Sequence, residues 1–234
     1  MQWLDAALEG QATAGLWIGQ AGLVAPLSYR RHAQLEAACA ASKARGLPVR
    51  LRRSGGGVVP QGPGILNITL AYPCAGAAGY MAERVYSHLC QLITNALTRL
   101  GIAAFPSGVQ GSFCDGRFNL AVSHQGSTRK IAGTAQYWRR GKGGQAVLAH
   151  ALLIVDANPL HLSEQANQFE DDLDSGRHYD ADTLTSVAQC WANAHPGMTH
   201  PANWMPTVKQ QLTRVLTSSR ARLTCEDPSR RCDF

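Results

Sequence analysis

Three consecutive glycines that follow two arginines, in the stretch LRRSGGGVV at residues 51–59, constrain this chain more than any other feature. Successive glycines leave bare backbone N–H groups, and Arg52 and Arg53 add fixed positive charge at the same place. Backbone N–H and guanidinium groups together can hold a phosphate or a carboxylate. Strands are predicted at residues 48–53 and 65–71, so the glycines form the loop between them. An ordinary hairpin loop is the alternative, which this segment alone does not exclude.

A lysine stands at the head of a second informative segment, the predicted strand at residues 130–138. Apolar and polar residues alternate along it, which indicates a strand with one buried face. The ammonium group of Lys130 could donate a hydrogen bond to an acyl carbonyl oxygen. Gly133, Thr134 and Ala135 are small enough to let a ligand approach the backbone. The alternatives are a lysine on the protein surface and ordinary tight packing of the small residues.

The two segments together resemble the biotin/lipoate protein ligase superfamily, and lipoate-protein ligase A-like proteins most closely, from about residue 4 to about residue 156. The family's Arg-Arg-x-Ser-Gly-Gly-Gly motif falls on residues 51–57, where Leu51 replaces the first arginine and Arg52 matches the second. Lys130 falls on the lysine that holds the activated acyl group in that family. The resemblance implies substrate binding by these residues: Arg52, Arg53, Ser54, Gly55, Gly56, Gly57, Val58, Asn67, Gly133, Thr134, Ala135 and His150.

This resemblance implies an enzyme that attaches lipoate or octanoate to a lysine of a lipoyl-domain protein through an acyl-adenylate, which requires ATP and Mg²⁺. Two departures from the family's pattern argue against ATP. Asn119 stands where the ATP-dependent members have an aspartate, so a carboxylate that would help to bind Mg²⁺ is missing. Gln61 and Gly62 replace the histidine-aspartate pair that follows the glycines in the family.

Cys114 offers a second route, which needs no ATP. The octanoyltransferases of the superfamily carry their acyl group on a cysteine as a thioester, and one class has this cysteine in the loop before the lysine strand. Cys114 lies in such a loop, at residues 111–116, and we count it with Lys130 as a candidate catalytic residue. An inert, buried cysteine is the alternative. A third possibility is a binding or regulatory module that keeps the acyl pocket without turnover.

Strand patterns dominate the middle of the chain and helical patterns its end. This order predicts an α+β fold with a mixed, largely antiparallel sheet backed by helices. The clearest helix is at residues 78–100, where apolar side chains recur at helical spacing. A second helix is predicted at residues 29–45, and residues 174–180 are predicted to be a linker. The whole chain, residues 1–234, is predicted to be one biotin/lipoate protein ligase-like catalytic domain, with a mainly helical part at 159–234.

Charge and composition restrict the expected partners. The net charge of +6 suits either nucleic acid or an acidic protein. No helix shows a basic face interleaved with aromatic residues, as a nucleic-acid reader would need, so we expect an acidic protein instead. The resemblance implies a lipoyl domain and, on the thioester route, an acyl carrier protein. No apolar run approaches the ~20 residues that span a bilayer, so no membrane partner is expected.

Cysteine usage points to a reducing compartment. The seven cysteines are an odd number at irregular spacings, which argues against a disulfide framework and a zinc ribbon. The first residues lack the basic and apolar regions of a secretory signal, so we expect a cytoplasmic protein. His195 and His200 have no identifiable third ligand, so no metal site is expected.

Overall fold

Runs of strands are separated by single helices, and three helices follow the last strand, in the computed structural model, which describes residues 2–141, 144–199 and 201–219. The helices in these ranges are α1 (Gln2–Leu8), α2 (Leu35–Ala44), α3 (Ala78–Thr98), α4 (Pro159–Asp172), α5 (Val187–Ala194) and α6 (Met205–Ser219). The strands are β1 (Thr13–Trp17), β2 (Gly22–Pro26), β3 (Val49–Arg52), β4 (Val59–Gln61), β5 (Ile65–Cys74), β6 (Ala104–Pro106), β7 (Leu120–His124), β8 (Ser127–Gly141) and β9 (Gly144–Ile154). None of these helices is long and apolar enough to cross a membrane.

Two sheets organise the strands. The larger sheet has the strand order β1-β5-β9-β8-β7-β6, and its neighbouring strands are all antiparallel. The smaller sheet has the order β3-β2-β4, in which β2 runs parallel to β3 and antiparallel to β4. The predicted α+β fold with a mixed, largely antiparallel sheet is therefore confirmed.

The main core lies between the larger sheet and helix α3. Met81, Val85, Leu89 and Ile93 recur along one face of α3, and all four are at most 1% exposed. They pack in one cluster with inward-facing residues of the large sheet and with residues of α6. Full burial of an aliphatic side chain stabilises the fold by about 1.5–3 kcal/mol, so this face holds α3 on the sheet. The helix predicted at residues 78–100 is confirmed.

The glycine run does not connect the two strands that the sequence predicts. It follows β3 and leads into β4, so it joins the two outer strands of the small sheet. Strand β4 was missed because it has only three residues and contains Pro60, and so short a segment shows no alternation. It exists because Leu23 and Val24 of β2 pair with it.

The helix predicted at residues 29–45 is confirmed only in its later part, where Leu35–Ala44 form α2. Residues Leu27–Arg31 form a 3₁₀ turn, and α2 begins only at Leu35. His32 between them has extended backbone, with φ −81° and ψ 123°. Tyr29, within the turn, is buried at 1% exposure, so tertiary burial of its ring overrides the local helical preference of an alanine-rich segment.

The linker predicted at residues 174–180 is also wrong. Tyr179 is buried, and its N–H donates to the side chain of Asn167 at 2.7 Å while the Asn167 amide donates back to its carbonyl at 2.9 Å. The N–H of Asp180 donates to the carbonyl of Gly111 at 2.9 Å. The segment is therefore docked on α4 and on the loop that carries Cys114. Its polar composition suggested a linker because these bonds join residues far apart in sequence.

Candidate functional site

Two cavities meet beside strand β8. The first, called here the narrow cavity, has a volume of about 310 Å³ and is lined largely by apolar side chains such as Val24, Phe113 and Leu152. The second, called the wide cavity, has a volume of about 650 Å³ and is lined by the glycine loop and the loop at residues 111–116. The two cavities share a wall, which consists of Cys114, Thr134 and Ala135.

Most of the residues predicted from the sequence line these cavities. The narrow cavity is lined by Arg52, Arg53, Ser54, Lys130, Gly133 and His150 together with the three residues of the shared wall. The wide cavity is lined by Gly55, Gly56 and Gly57. Val58 and Asn67 line neither cavity, and both are fully buried. Asn67 bonds to Gln61 and His150, which line the narrow cavity.

Lys130 is completely buried, contrary to the alternative of a surface lysine. Its Nζ donates to the carbonyl of Phe113 and, at 2.8 Å, to the carbonyl of Cys114. Burial lowers the pKa of Lys130 from 10.5 to about 8, although the nearby Cys114 and Asp115 act in the opposite direction. A Cβ at Gly133 would lie 3.3 Å from the ammonium nitrogen, so the glycine leaves space for the charged end of the side chain.

Cys114 is held at the junction of the two cavities by its backbone. It has a φ of 55°, a conformation that costs a non-glycine residue free energy and that is concentrated at functional sites. Its carbonyl accepts hydrogen bonds from Lys130 Nζ and from the amide of Asn119. The Oδ1 of Asn119 in turn accepts from the N–H of Thr134 at 3.0 Å. Asn119, which replaces the family's aspartate, thus fastens the cysteine loop to β8.

The glycine loop packs directly against the Cys114 thiol. A Cβ at Gly56 would lie only 2.3 Å from Cys114 Sγ, so no larger residue fits there without a shift. Arg52 sets the shape of this loop, because its guanidinium donates to the carbonyls of Gly55 at 2.9 Å and Gly57 at 2.7 Å. A third bond reaches the carbonyl of Val24 at 2.8 Å. Burial lowers the pKa of Arg52.

His150 belongs to a directed chain of hydrogen bonds on the floor of the narrow cavity. Trp17 Nε1 donates to the hydroxyl of Thr69 at 3.1 Å, and that hydroxyl lies 2.9 Å from His150 Nδ1. His150 Nε2 lies 3.1 Å from Asn67 Oδ1, which also accepts from Gln61. Because an amide oxygen only accepts, the hydrogen of His150 is on Nε2 and Nδ1 accepts from Thr69. Burial lowers the pKa of His150 to about 4, so the ring is neutral at pH 7.

Several lining residues were not found from the sequence. The wide cavity includes Arg177, His178 and Tyr179 from the supposed linker, and the narrow cavity includes Trp17 and Gln61. The sequence feature that could have indicated Arg177, His178 and Tyr179 as site residues is their occurrence in succession within a polar segment. Of the pair considered for a metal, His200 lies outside the described residues, and no group of three potential metal ligands occurs within them.

Comparison with known sequences gives a consistent result. Residues 9–195 match the family described as the lipoyl protein ligase A/B catalytic domain. An uncharacterised protein of Cupriavidus necator is 47% identical over 219 residues, which cover 90% of this chain and 87% of the relative. An octanoyl-[GcvH]:protein N-octanoyltransferase of Kyrpidia tusciae is 40% identical over 151 residues, which cover 61% of this chain and 49% of the relative. The chain thus spans about half the length of that transferase.

Solved structures share the fold. Lipoate-protein ligase A bound with ATP superimposes with a TM-score of 0.65 at 16% identity, over 94% of this chain and 78% of that one. A protein of T. acidophilum with bound lipoic acid gives a TM-score of 0.63, also at 16% identity, over 94% of this chain and 78% of that one.

Proposed function

Since the chain belongs to the lipoyl protein ligase A/B catalytic domain family, a family of acyl-transferring enzymes, we propose that it transfers an octanoyl or lipoyl group to a lysine of a lipoyl-domain protein, with Cys114 as the nucleophile. The observation that carries this proposal is the position of Cys114. Cys114 lines both cavities. It lies in the loop whose Cys114 carbonyl accepts a hydrogen bond from the Lys130 ammonium.

The narrow cavity suits a medium-length acyl chain. Its apolar lining would bury the methylene groups, each of which contributes about 0.8 kcal/mol when it is removed from water. Lys130 and Cys114 lie in its wall, so a chain bound with its carboxyl end toward this wall places the reacting carbonyl near both. The name of the Kyrpidia tusciae relative supports octanoate as the acyl group.

The transfer proceeds in two steps. In the first, the Cys114 thiol gives up its proton and its sulfur attacks the carbonyl carbon of the acyl donor. From an acyl thioester the donor's thiol leaves and takes up a proton; from an acyl-lysine donor such as octanoylated GcvH the lysine amine leaves and takes it up. In the second, the ε-amine of the acceptor lysine attacks the Cys114 thioester, so that an amide forms and the cysteine regains its proton. Because either a thioester is converted into an amide or one amide is exchanged for another, no ATP is required.

Lys130 supplies positive charge near the acyl carbonyl oxygen, on which negative charge develops during the transfer. An ammonium has three hydrogens, and within the described residues two are directed at the carbonyls of Phe113 and Cys114. The third is left for the acyl carbonyl oxygen in the narrow cavity that Lys130 lines. A buried donor of this kind typically contributes 10²–10³ in rate. Burial of the Lys130 ammonium costs free energy of folding, which a role in the reaction would explain. This argues against the alternative of a non-catalytic binding module.

An acyl-adenylate route is the second candidate. The volume of the wide cavity, about 650 Å³, favours it, since a nucleotide fits such a space beside the glycine loop. Asn119 argues against it, because its amide is engaged with Cys114 and Thr134 and it offers no carboxylate for Mg²⁺. On either route the acceptor is a lipoyl-domain protein; an acyl carrier protein serves as donor only on the thioester route.

Intact-mass measurement of an apo lipoyl domain tests the proposal. The domain is incubated with the protein and one of three donors: octanoyl acyl carrier protein, octanoylated GcvH, or octanoate with ATP and Mg²⁺. We expect an octanoyl group on the acceptor without ATP, and a hydroxylamine-labile octanoyl group on the protein that Cys114→Ser abolishes. Cys39→Ser is the matched control, because Cys39 is also half-buried but lines neither cavity. Transfer that requires ATP and survives in Cys114→Ser would establish the adenylate route instead.

A further inference from the structure

A cluster of polar side chains behind the glycine loop, buried except for the exposed Arg177, takes no part in the chemistry described above. Its centre is Glu170 of α4, which is 1% exposed. Glu170 Oε1 accepts from the Tyr29 hydroxyl at 2.5 Å and from the Tyr179 hydroxyl at 2.7 Å. The Tyr29 oxygen accepts from the backbone N–H of Val58 at 3.1 Å and from Arg177 Nη1 at 2.9 Å.

The hydrogen-bond chemistry of Tyr29 is fully determined. A phenol has one hydrogen and two acceptor positions. Val58 N–H and Arg177 are donors, so they occupy the acceptor positions, and the hydrogen of Tyr29 is directed at Glu170. A carboxylate only accepts, which fixes this orientation. Burial and the bond to Glu170 raise the pKa of Tyr29, so the hydroxyl keeps its hydrogen at neutral pH.

The cluster connects the glycine loop to distant parts of the chain. Tyr29 lies in the 3₁₀ turn, Glu170 lies 141 residues later in α4, and Arg177 follows in the docked segment. A Cβ at Gly57 would lie 3.1 Å from the Tyr179 hydroxyl, so the cluster directly contacts the loop. The loop thus has two anchors: Arg52 binds its carbonyls, and Tyr29 binds the N–H of the residue that follows the glycines.

The burial of Glu170 in this position is by itself unfavourable for the stability of the fold. Its second carboxylate oxygen, Oε2, is buried without a hydrogen-bond partner among the described residues. An unsatisfied buried carboxylate oxygen destabilises a fold, and its presence needs an explanation. The orientation of Tyr29 supplies one, because only an acceptor at this place directs the lone pairs of Tyr29 toward Val58 and Arg177.

We infer that Tyr29 and Glu170 are positioning residues for acyl binding, which hold the glycine loop against Cys114 without touching the substrate. The inference rests on the proposed function, because it takes the narrow cavity to be the acyl site. The glycines themselves line the wide cavity, but Ser54 and Val59 at the two ends of the loop line the narrow one. Loss of the Tyr29 hydroxyl releases Val58 N–H, so the loop loses one of its two anchors next to this wall of the narrow cavity.

Hydrogen exchange and octanoate binding together test this inference. In Tyr29→Phe we expect faster amide exchange in a peptide spanning residues 54–60 and an increase of about tenfold in the Kd for octanoate, the amount that one or two lost hydrogen bonds produce. Glu170→Gln keeps an acceptor oxygen and should bind octanoate within about twofold of the parent, whereas Glu170→Met should resemble Tyr29→Phe. The matched control is Ile65→Val, since Ile65 is buried in the same apolar cluster as Tyr29 and makes no bond to the loop.

The results of these measurements distinguish a positioning role of Tyr29 from a general effect on protein stability. If Ile65→Val weakens octanoate binding as much as Tyr29→Phe, general destabilisation explains the effect and the inference is overturned. Unchanged exchange at residues 54–60 in Tyr29→Phe, or faster exchange with the parent's Kd, overturns it as well. The exchange measurement needs no ligand and the binding measurement needs octanoate alone, so a parent that binds octanoate but acylates no acceptor would overturn only the proposed function.

Discussion

Gly56→Ala tests the contact between the glycine loop and Cys114 most directly. Gly56 has a φ of +105°, and a Cβ there would lie 2.3 Å from Cys114 Sγ and 3.0 Å from Arg52 Nη2. The neighbouring Gly55 provides a matched control, because a Cβ at that position meets nothing within 4 Å. The two alanine variants therefore differ in backbone strain and in the clash, but not in chemistry.

The expected cost has two parts. A positive φ costs an alanine about 1–2 kcal/mol. Overpacking costs about 1–3 kcal/mol, and the value here lies near the lower limit because the Cys114 thiol can rotate away. We expect Gly56→Ala to lower the free energy of unfolding by about 2–3 kcal/mol, which a domain with a stability of about 5–15 kcal/mol survives. Gly55→Ala should change it by less than about 0.5 kcal/mol.

Urea unfolding and the acyl-transfer assay measure the two consequences. Gly56→Ala should remain folded but transfer at least about tenfold more slowly, since an ångström-scale displacement of a reacting group can cost about 10² in rate. A double-mutant cycle with Cys114→Ala isolates the clash, because removal of the sulfur leaves only the strain of the positive φ. We expect a coupling energy of about 1 kcal/mol.

Equal costs for Gly55→Ala and Gly56→Ala would refute this reasoning, as would a cycle without coupling. The first result would mean that the loop does not hold Gly56 at a positive φ. The second would mean that Gly56 and the Cys114 thiol are not in contact in solution.

Three further predictions concern charge, the cysteine loop and chain length. Burial lowers the pKa of Lys130 to about 8, so the transfer rate should fall as the pH rises through about 8 and the ammonium is lost, and Lys130→Arg should remove this decline. The contribution of Lys130 to stability in urea should instead rise between pH 8 and 10.5, because the unfolded chain still binds the proton that the folded chain has released. It is measured as the difference between the parent and Lys130→Arg, since burial raises the pKa of groups such as Cys90, whose contribution falls with pH. Asn119→Asp removes the amide that donates to Cys114, so intact-mass assays should show transfer at least about tenfold slower and no gain of ATP dependence; a gain would contradict the role assigned to Asn119. Leu148→Trp fills part of the narrow cavity, so the preferred fatty acid should become shorter than eight carbons. Each methylene group that no longer fits should weaken binding by about fourfold. If the affinities of a series of fatty acids do not change with this substitution, the acyl chain binds elsewhere.

Local patterns in the sequence determined the regular elements and the approximate location of the site. The period of apolar residues in α3 reflects which side of the helix faces the core, so this helix could be predicted. Strand β8 was predicted as well, although its burial does not alternate: residues 130–132 are all buried and residues 133–139 are all partly exposed. The glycine run and Lys130 pointed to the same site through a motif resemblance. Cys114 was found because residues 111–116 have the composition of a glycine-bounded loop; in the structure this loop leads into β7, which pairs with β8.

Tertiary structure alone decided how these residues work together. The sequence allowed Lys130 to lie on the surface, and only the packing of the Cys114 loop over β8 buries its ammonium. It likewise gave no sign of the bonds from Glu170 to Tyr29 and Tyr179. Periodicity and turn signals report contacts between neighbours in the chain. A hydrogen bond between residues 141 positions apart leaves no such pattern, so the support behind the glycine loop follows only from the folded structure.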